Sequence, residues 1–334
     1  MPRVLITDVP WGDLTVERAE LAKVDATLDR ASANDEATLV REVAGASAVL
    51  TCWATVSAAV LESGGPRSGD DRGRPLQCVA RLGAGVDNID LAAAERLGIP
   101  VTRVPDYCVG EVADHAFALL LAIRRDVVGS AVSVRAGEWN PDRAAPLRRL
   151  AGNTLGLVGF GRTAAAVRER ALPFGFEVLA HNRSGDDRGT GCTMVSREEL
   201  LERSDVVSLH TPLTNDTQRL VDASFLDRMK PGAVLLNVAR GGLVDADAVL
   251  AALESERLAA VGLDVFESEP PGERFADWHP LLKHPRVLTT PHTAFNSQES
   301  LIELRTRAAR QVADVLAGRR PEHLVNPAVW EARG

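Results

Sequence analysis

The segment LGLVGFGRTAAAV at residues 155–167 constrains the fold of this chain more than any other. An apolar run precedes Gly159 and Gly161, and a helix-compatible run that contains Ala164 follows them. In a strand–turn–helix unit, Gly159 permits the tight turn, Gly161 lets a ligand approach the backbone, and Ala164 allows helix and strand to pack closely. The helix N-terminus then presents its positive dipole end to a pyrophosphate. The segment therefore predicts a doubly wound α/β domain that binds a dinucleotide.

The rest of the chain alternates short apolar runs with helix-like segments, a pattern typical of parallel sheets built from βαβ units. Three strands are predicted before the long helix that follows residue 106, with a charged helical stretch after the first of them, and six more after residue 153. Their ranges are 4–7, 48–52, 77–80, 154–160, 177–182, 206–210, 233–238, 259–265 and 286–290. A second long helix is predicted over 297–316. Residues 63–75 are rich in Gly, Pro and charge and predict an exposed loop.

Bulk properties narrow the class of protein. A length of 334 residues exceeds what a single core usually supports, so two domains are expected. The formal net charge of -8 and the single tyrosine argue against a nucleic-acid-binding surface. The sequence lacks a membrane-length apolar run, a signal-peptide pattern and any Cys or His spacing typical of metal ligands. These features predict a cytoplasmic protein that acts on a small molecule, without metal, membrane or nucleic acid.

The residues after the second strand of the glycine-motif series bear on the choice of cofactor. An acidic residue usually binds the adenosine ribose about 20 residues beyond the glycines. This chain instead has Asn182, Arg183 and Ser184. A carboxylate would repel a 2′-phosphate, whereas these three side chains can donate hydrogen bonds to it. We therefore expect NADP to be favoured, while Asp186 and Asp187 keep NAD as the alternative.

Polar residues also follow three later strands, at the edge where doubly wound sheets bind ligands. The segments are NVARGGLVD (237–245), GLDVFESEP (262–270) and TTPHTAF (289–295). With LGAGVDNID (82–90), VPDYCVGEVADHA (104–116), LHTPLT (209–214) and MKPGAVLLNVARGGLVD (229–245), they resemble the D-isomer-specific 2-hydroxyacid dehydrogenase family. The resemblance covers nearly the whole chain. Its DYC-x-x-EVADH stretch is most similar to bacterial relatives of the C-terminal binding protein corepressors.

The resemblance implies an NAD(P)-dependent enzyme that interconverts a 2-keto acid and a D-2-hydroxy acid, with Arg240, Glu269 and His292 as catalytic residues. These residue types suit the chemistry. Reduction of a ketone builds negative charge on oxygen, and histidine exchanges protons near neutral pH. Glu269 would orient the ring of His292 and favour its imidazolium form. Arg240 would hold the substrate carboxylate and polarise the carbonyl.

The same resemblance extends to binding residues. Substrate is expected at the backbone N–H groups of Ala84 and Gly85, at Arg240, and beside Trp53 and Phe295. Residues expected to contact the cofactor are Gly159, Phe160, Gly161, Arg162, Thr163, Asn182, Arg183, Ser184, His210, Thr211, Pro212, Thr217, Val238, Ala239 and Asp264.

Family architecture implies two doubly wound parallel-sheet domains. A Rossmann NAD(P)-binding domain would span residues 106–294, and a discontinuous, flavodoxin-like substrate domain would span 1–105 plus 295–334. The active site would lie in the cleft between them. The long helix after Tyr107 would act as a hinge and take part in the interface of a homodimer.

Several alternatives stay open at this point. Asp264 could cap the turn after its strand rather than line the cofactor, and Trp53 could pack beneath its loop. The remaining histidines are interpreted as structural or surface residues; they are His115, His181, His279, His284 and His323. A dinucleotide-sensing, corepressor-like binding protein is the alternative function. Another alternative is an enzyme with a specialised substrate, such as a phosphonate keto acid. Formate and phosphite are disfavoured as substrates, because related formate dehydrogenases carry Gln at the position of Glu269 and phosphite dehydrogenases carry Lys at that of Ala84.

Overall fold

The computed structural model describes residues 1–65, 76–142, 147–267, 269 and 279–332. Its strands are β1 (Arg3–Ile6), β2 (Thr27–Arg30), β3 (Ala48–Thr51), β4 (Cys78–Arg81), β5 (Val101–Thr102), β6 (Thr154–Val158), β7 (Glu177–His181), β8 (Thr193–Met194), β9 (Val206–Leu209), β10 (Ala233–Asn237), β11 (Leu258–Leu263) and β12 (Val287–Thr289). Its α-helices are α1 (Thr15–Leu21), α2 (Glu36–Glu42), α3 (Ala58–Ser63), α4 (Leu91–Arg96), α5 (Val109–Arg124), α6 (Val127–Arg135), α7 (Arg162–Ala171), α8 (Arg197–Arg203), α9 (Ala223–Arg228), α10 (Ala246–Glu254), α11 (Gln298–Leu316) and α12 (Pro327–Glu331).

The chain divides into two compact units. Unit 1 comprises Met1–Tyr107 and Ser297–Gly334, and unit 2 comprises Cys108–Asn296. The domain boundaries expected from the sequence lie two residues before these positions. Most of the predicted 63–75 loop, residues 66–75, lies outside the described residues.

Unit 1 contains a parallel five-stranded sheet in the order β2-β1-β3-β4-β5. The strand order reverses between β1 and β3, which makes their carboxyl ends the switch point of the sheet. Strands β3 and β4 are buried along their whole length, as expected when helices cover both faces of a parallel sheet. Helix α11 returns to this unit through Ser297, whose side chain and that of Ser300 form a reciprocal capping box.

Unit 2 contains a parallel seven-stranded sheet in the order β12-β11-β10-β9-β6-β7-β8. Here the order reverses between β6 and β9. Two apolar clusters fill the unit, one with α8, α9 and α10, and one with α5 and α7. The two parallel α/β sheets that the sequence predicted are therefore confirmed.

Three strands were missed by the sequence analysis. Thr27–Arg30 falls in the stretch interpreted as helical, and its two charged residues are exposed because β2 is an edge strand. The two-residue strands β5 and β8 also lie at sheet edges. Three of the four residues of β2 are exposed, and β5 and β8 have only two residues each, so none of these strands shows the apolar run that identified the central strands. In the part of the chain that the structure describes, no helix is long and apolar enough to cross a membrane.

Candidate active site

The glycine turn lies at the switch point of the seven-stranded sheet. Gly159 has a φ of +87°, and a Cβ there would lie 2.6 Å from the carbonyl carbon of His210 and 2.7 Å from the nitrogen of Thr211. Gly161 occupies the N-cap of α7, has no capping side chain and would place a Cβ in open space. Side chains of Asp222 and Asp245 instead cap α9 and α10. The turn therefore leaves room and donor N–H groups for an anionic ligand, which fits a dinucleotide pyrophosphate.

Other predicted cofactor residues surround this turn. Arg162 and Thr163 begin α7 beside it, whereas the side chain of Phe160 is buried in the core, so only its backbone faces the turn. On the neighbouring strand, burial lowers the pKa of His210 to about 4, and its Nε2 lies 2.9 Å from Ser208 Oγ. The ring is therefore neutral near neutral pH.

The loop after His210 is closed by Thr217. The hydroxyl of Thr217 donates to the Pro212 carbonyl over 2.7 Å and accepts from the Thr214 N–H over 2.8 Å. Its hydrogen bonds thus lie within the loop that carries Thr211 and Pro212. This loop follows β9, directly beside the glycine turn after β6.

The residues after β7 bear on the choice between NADP and NAD as cofactor. The Asn182 amide donates to the Asp186 carbonyl over 2.7 Å, and Arg183 is exposed. The Asp186 carboxylate accepts from the Arg188 N–H over 2.8 Å. The Asp187 carboxylate accepts from the N–H groups of two glycines, Gly189 and Gly191, at 3.0 and 2.9 Å. Both carboxylates therefore accept hydrogen bonds from backbone N–H groups of the loop to which they belong.

Arg240 lies in the turn after β10, and Asn237 shapes that turn. The fully buried Asn237 amide donates to the Arg240 carbonyl over 2.8 Å, and its oxygen accepts from the Ala239 N–H over 3.0 Å. Arg240 Nη1 also donates to the Ala239 carbonyl over 2.7 Å. A Cβ at Gly241 would overlap the backbone of Phe266, so glycine lets the β10 turn contact the loop after β11. Val238 and Ala239 complete the turn.

Glu269 and His292 form a hydrogen-bonded pair. Glu269 Oε2 accepts from His292 Nδ1, and Glu269 Oε1 accepts from the backbone N–H of Phe266. Both side chains are mostly buried, at 18% and 24% exposure. The Phe295 ring packs edge-on against the imidazole, with centroids 6.0 Å apart. The carboxylate is fixed by the β11 loop and in turn fixes the orientation of the ring.

Asp264 organises the backbone around His292. Its fully buried carboxylate accepts from the N–H groups of Thr293 and Ala294 at 2.9 and 3.0 Å, and from the Thr290 hydroxyl at 2.6 Å. The His292 N–H donates to the Asp264 carbonyl over 2.7 Å. These hydrogen bonds hold His292 at a φ of +49°. The alternative left open by the sequence was that Asp264 caps the turn after its own strand; the described hydrogen bonds of its carboxylate are with the loop after β12.

In unit 1, Asp8 holds the loop that contains Trp53. The Asp8 carboxylate accepts from the N–H groups of Cys52, Trp53 and Ala54 at 3.1, 2.8 and 3.1 Å. Trp53 itself is partly exposed. The sequence analysis missed Asp8, whose signal was a carboxylate just past the end of a buried strand at the switch point of the sheet.

Ala84 and Gly85 follow β4 at the same edge of that sheet. Within the described part of the chain, neither of their N–H groups donates to a protein acceptor. The buried Arg81 guanidinium lies beneath this turn, where a Cβ at Gly83 would come within 2.6 Å of it, and Arg81 donates to the Leu82 carbonyl. Two N–H groups above a buried cation suit a carboxylate ligand.

Comparison with known proteins identifies the family and the fold. Residues 117–294 match the family model described as the NAD-binding domain of D-isomer-specific 2-hydroxyacid dehydrogenases. A glyoxylate reductase of Aeropyrum pernix is 38% identical over 267 residues, which cover 77% of this chain and 78% of that enzyme. A Thermus thermophilus structure superposes with a TM-score of 0.84 at 37% identity, covering 97% and 99% of the two chains. The structure of Aquifex aeolicus D-lactate dehydrogenase complexed with NAD and lactic acid superposes with a TM-score of 0.83 at 27% sequence identity, covering 94% of this chain and 96% of that chain.

Proposed function

This chain belongs to the D-isomer-specific 2-hydroxyacid dehydrogenase family, and we propose that it interconverts small 2-keto acids of the glyoxylate and hydroxypyruvate class with their D-2-hydroxy acids. It is an oxidoreductase that uses a nicotinamide cofactor. The observation that carries the proposal is the His292–Glu269 pair beside the Arg240 turn. These are the groups that a carbonyl reduction needs.

We assign the acid–base step to His292. Its Nδ1 faces the Glu269 carboxylate, so Nε2 is the nitrogen that exchanges a proton with the substrate oxygen. Glu269 stabilises the imidazolium and keeps Nδ1 protonated. A bound nicotinamide supplies the hydride in reduction. The arrangement of this pair supports the assignment, because the carboxylate is itself held by the Phe266 N–H.

Substrate binding is proposed at Arg240 and at the turn that contains Ala84 and Gly85. Arg240 would bind a carboxylate and polarise the carbonyl, and the N–H groups of Ala84 and Gly85 suit a carboxylate ligand. The open donor groups of the Ala84–Gly85 turn support this role. Trp53 and Phe295 are proposed to contact the substrate side chain. Of these, Phe295 packs on the ring of His292.

We further propose that NADP is favoured over NAD. Asn182, Arg183 and Ser184 follow β7 and offer no carboxylate against a 2′-phosphate. The acidic residues that kept NAD as the alternative, Asp186 and Asp187, use their carboxylates on N–H groups of their own loop. Because these hydrogen bonds hold both carboxylates within the loop, they support the preference for NADP over NAD.

A homodimer is proposed through helix α6. Val127, Val128, Val132 and Val134 on this helix are 48–58% exposed, and Trp139 beyond it is 87% exposed. A concentration of apolar side chains on one short helix is typical of a protein interface. A second copy of the chain is the partner we propose for it. The sequence analysis also expected a homodimer, but with its interface at the long helix after Tyr107, which is α5.

The test is turnover of the reduced cofactor, followed by its absorbance, with glyoxylate, hydroxypyruvate, phenylpyruvate and longer keto acids. We expect the first two to be reduced, and the His292→Ala variant to lose activity in every case. Activity in His292→Ala equal to that of the wild type would refute the acid–base assignment. Failure of glyoxylate and hydroxypyruvate would refute the proposed substrate class.

Cofactor choice is tested with a matched pair of variants. Arg183→Ala should raise the KM for NADPH and leave that for NADH nearly unchanged, because only NADPH carries the 2′-phosphate. Arg188→Ala removes an exposed arginine from the same loop and is the control. Equal effects of both variants, or a wild type that prefers NADH, would overturn the NADP proposal.

A further inference from the structure

His115 contacts the loop of the acid–base histidine from helix α5. Its Nε2 lies 2.8 Å from Thr290 Oγ1 and 3.5 Å from Asp264 Oδ1. The His115 side chain is 22% exposed. Neither the sequence analysis nor the chemistry assigned above gives this histidine a role.

The direction of these hydrogen bonds follows from the number of available protons. The Thr290 hydroxyl has one hydrogen, and it donates that hydrogen to Asp264 Oδ1 over 2.6 Å because a carboxylate only accepts. Thr290 Oγ1 must therefore accept from His115, so Nε2 of His115 carries a hydrogen. The three side chains form a donor chain that runs from α5 to the carboxylate.

This chain ends at the group that shapes the His292 loop. Asp264 holds the N–H groups of Thr293 and Ala294 with its carboxylate and the N–H of His292 with its carbonyl. His292 has a φ of +49°, a left-handed conformation that costs an ordinary residue roughly 1–2 kcal/mol. The loop therefore needs outside contacts to stay in this conformation, and the His115–Thr290 hydrogen bond is one of them.

We propose that His115 is a positioning residue: by donating to Thr290 it fixes the Asp264-centred loop and so the placement of His292 for proton exchange. This inference rests on the proposed function of His292. It assigns to His115 no contact with substrate or cofactor. The requirement is a donor at the position of Nε2, not an imidazole ring as such.

Four substitutions separate this role from a general effect on folding. His115→Leu and Thr290→Val each break the donor chain, and we expect kcat to fall about tenfold, as for loss of one aligning hydrogen bond, with KM for the keto acid within about twofold. His115→Gln places an amide N–H near the position of Nε2, and Thr290→Ser keeps the hydroxyl. These two variants should retain most of the turnover.

The double variant His115→Leu/Thr290→Val gives the sharper readout. Because His115 acts through Thr290, the double variant should have the kcat of Thr290→Val alone. Independent, multiplying losses would overturn the inference, as would a His115→Leu enzyme as active as the wild type. A His115→Gln enzyme as impaired as His115→Leu would also overturn it, since the donor would then not be the essential feature.

Amide hydrogen exchange of the segment 288–296 tests the same inference without turnover. Exchange at Thr293 and Ala294 should be faster in His115→Leu and Thr290→Val than in the wild type and in His115→Gln. Unchanged exchange in both of the first two variants would overturn the positioning role. A wild type that reduces no keto acid would refute the proposed function instead, and the exchange result would still decide the role of His115.

Discussion

Replacing Glu269 by glutamine should impair catalysis although the two side chains have the same shape. Each Glu269 oxygen accepts from a different donor, one from His292 Nδ1 and one from the Phe266 N–H. A glutamine amide has one accepting oxygen and one donating NH₂ group. It can satisfy only one of the two donors and must oppose the other with its own N–H.

Either orientation of the amide has a calculable consequence. If the oxygen faces Phe266, the NH₂ group requires Nδ1 of His292 to be unprotonated, and the imidazolium is no longer stabilised. If the oxygen faces His292, a charge-assisted hydrogen bond becomes a neutral one and the Phe266 N–H loses its hydrogen bond to the residue-269 carboxylate. A hydrogen bond to a charged group contributes about 1.5–3 kcal/mol, so we expect kcat to fall roughly 10- to 150-fold.

The assay is steady-state reduction of the best keto acid, with Glu267→Gln as the matched control. Glu267 is an exposed glutamate that lies 4.0 Å from Arg219, so its substitution should leave kcat within about twofold. KM for the keto acid should change little in Glu269→Gln, because Glu269 acts on His292 rather than on the substrate. A Glu269→Gln enzyme that matches the control in kcat would refute the orientation argument.

Four further results are expected. Gly241→Ala should lower the stability to urea by at least about 1–3 kcal/mol, because its Cβ would overlap Phe266. Gly161→Ala should leave stability nearly unchanged, since its Cβ meets nothing within 4 Å, and should weaken cofactor binding measured by calorimetry at least tenfold. Folding lowers the pKa of His210 from 6.5 to about 4, so the unfolded chain binds more protons than the folded chain between these pH values. Acidification from pH 7 to 5 should therefore lower the free energy of unfolding of the wild type by up to about 2 kcal/mol more than that of His210→Gln. Val132→Glu should shift sedimentation from dimer to monomer, and a dimer in this variant would exclude α6 from the interface.

The central strands could be predicted from sequence because their apolar pattern is local. β9 and β10 are buried at every position, and the glycine turn after β6 stands between an apolar run and a helical one. Edge strand β2 gave no such signal, since two of its four residues are charged and exposed. The residues proposed to be catalytic were predicted through resemblance to a family and not from their spacing.

The partners of the residues that support the site could not be predicted, because their contacts join distant parts of the chain. Asp8 accepts from Cys52 across 44 positions, and His115 meets Thr290 across 175. In the sequence, Asp8 is a carboxylate like many on a surface, and His115 is a histidine in an apolar helix. Only the order of strands and the packing of α5 bring these partners together.

The architecture of unit 2 explains why the acid–base pair is well defined within one unit. β10, β11 and β12 are neighbours in the sheet, and their carboxyl-end loops carry Arg240, Glu269 and His292 in that order. Adjacent loops are joined by the close approach of Gly241 to Phe266 and by the hydrogen bonds between Asp264 and the loop after β12. The loop of Trp53 belongs to unit 1 and is held separately by Asp8. If the Trp53 loop contacts the substrate side chain as proposed, a substitution there should alter which acid is accepted without disturbing the His292–Glu269 pair, because the two are supported by different residues.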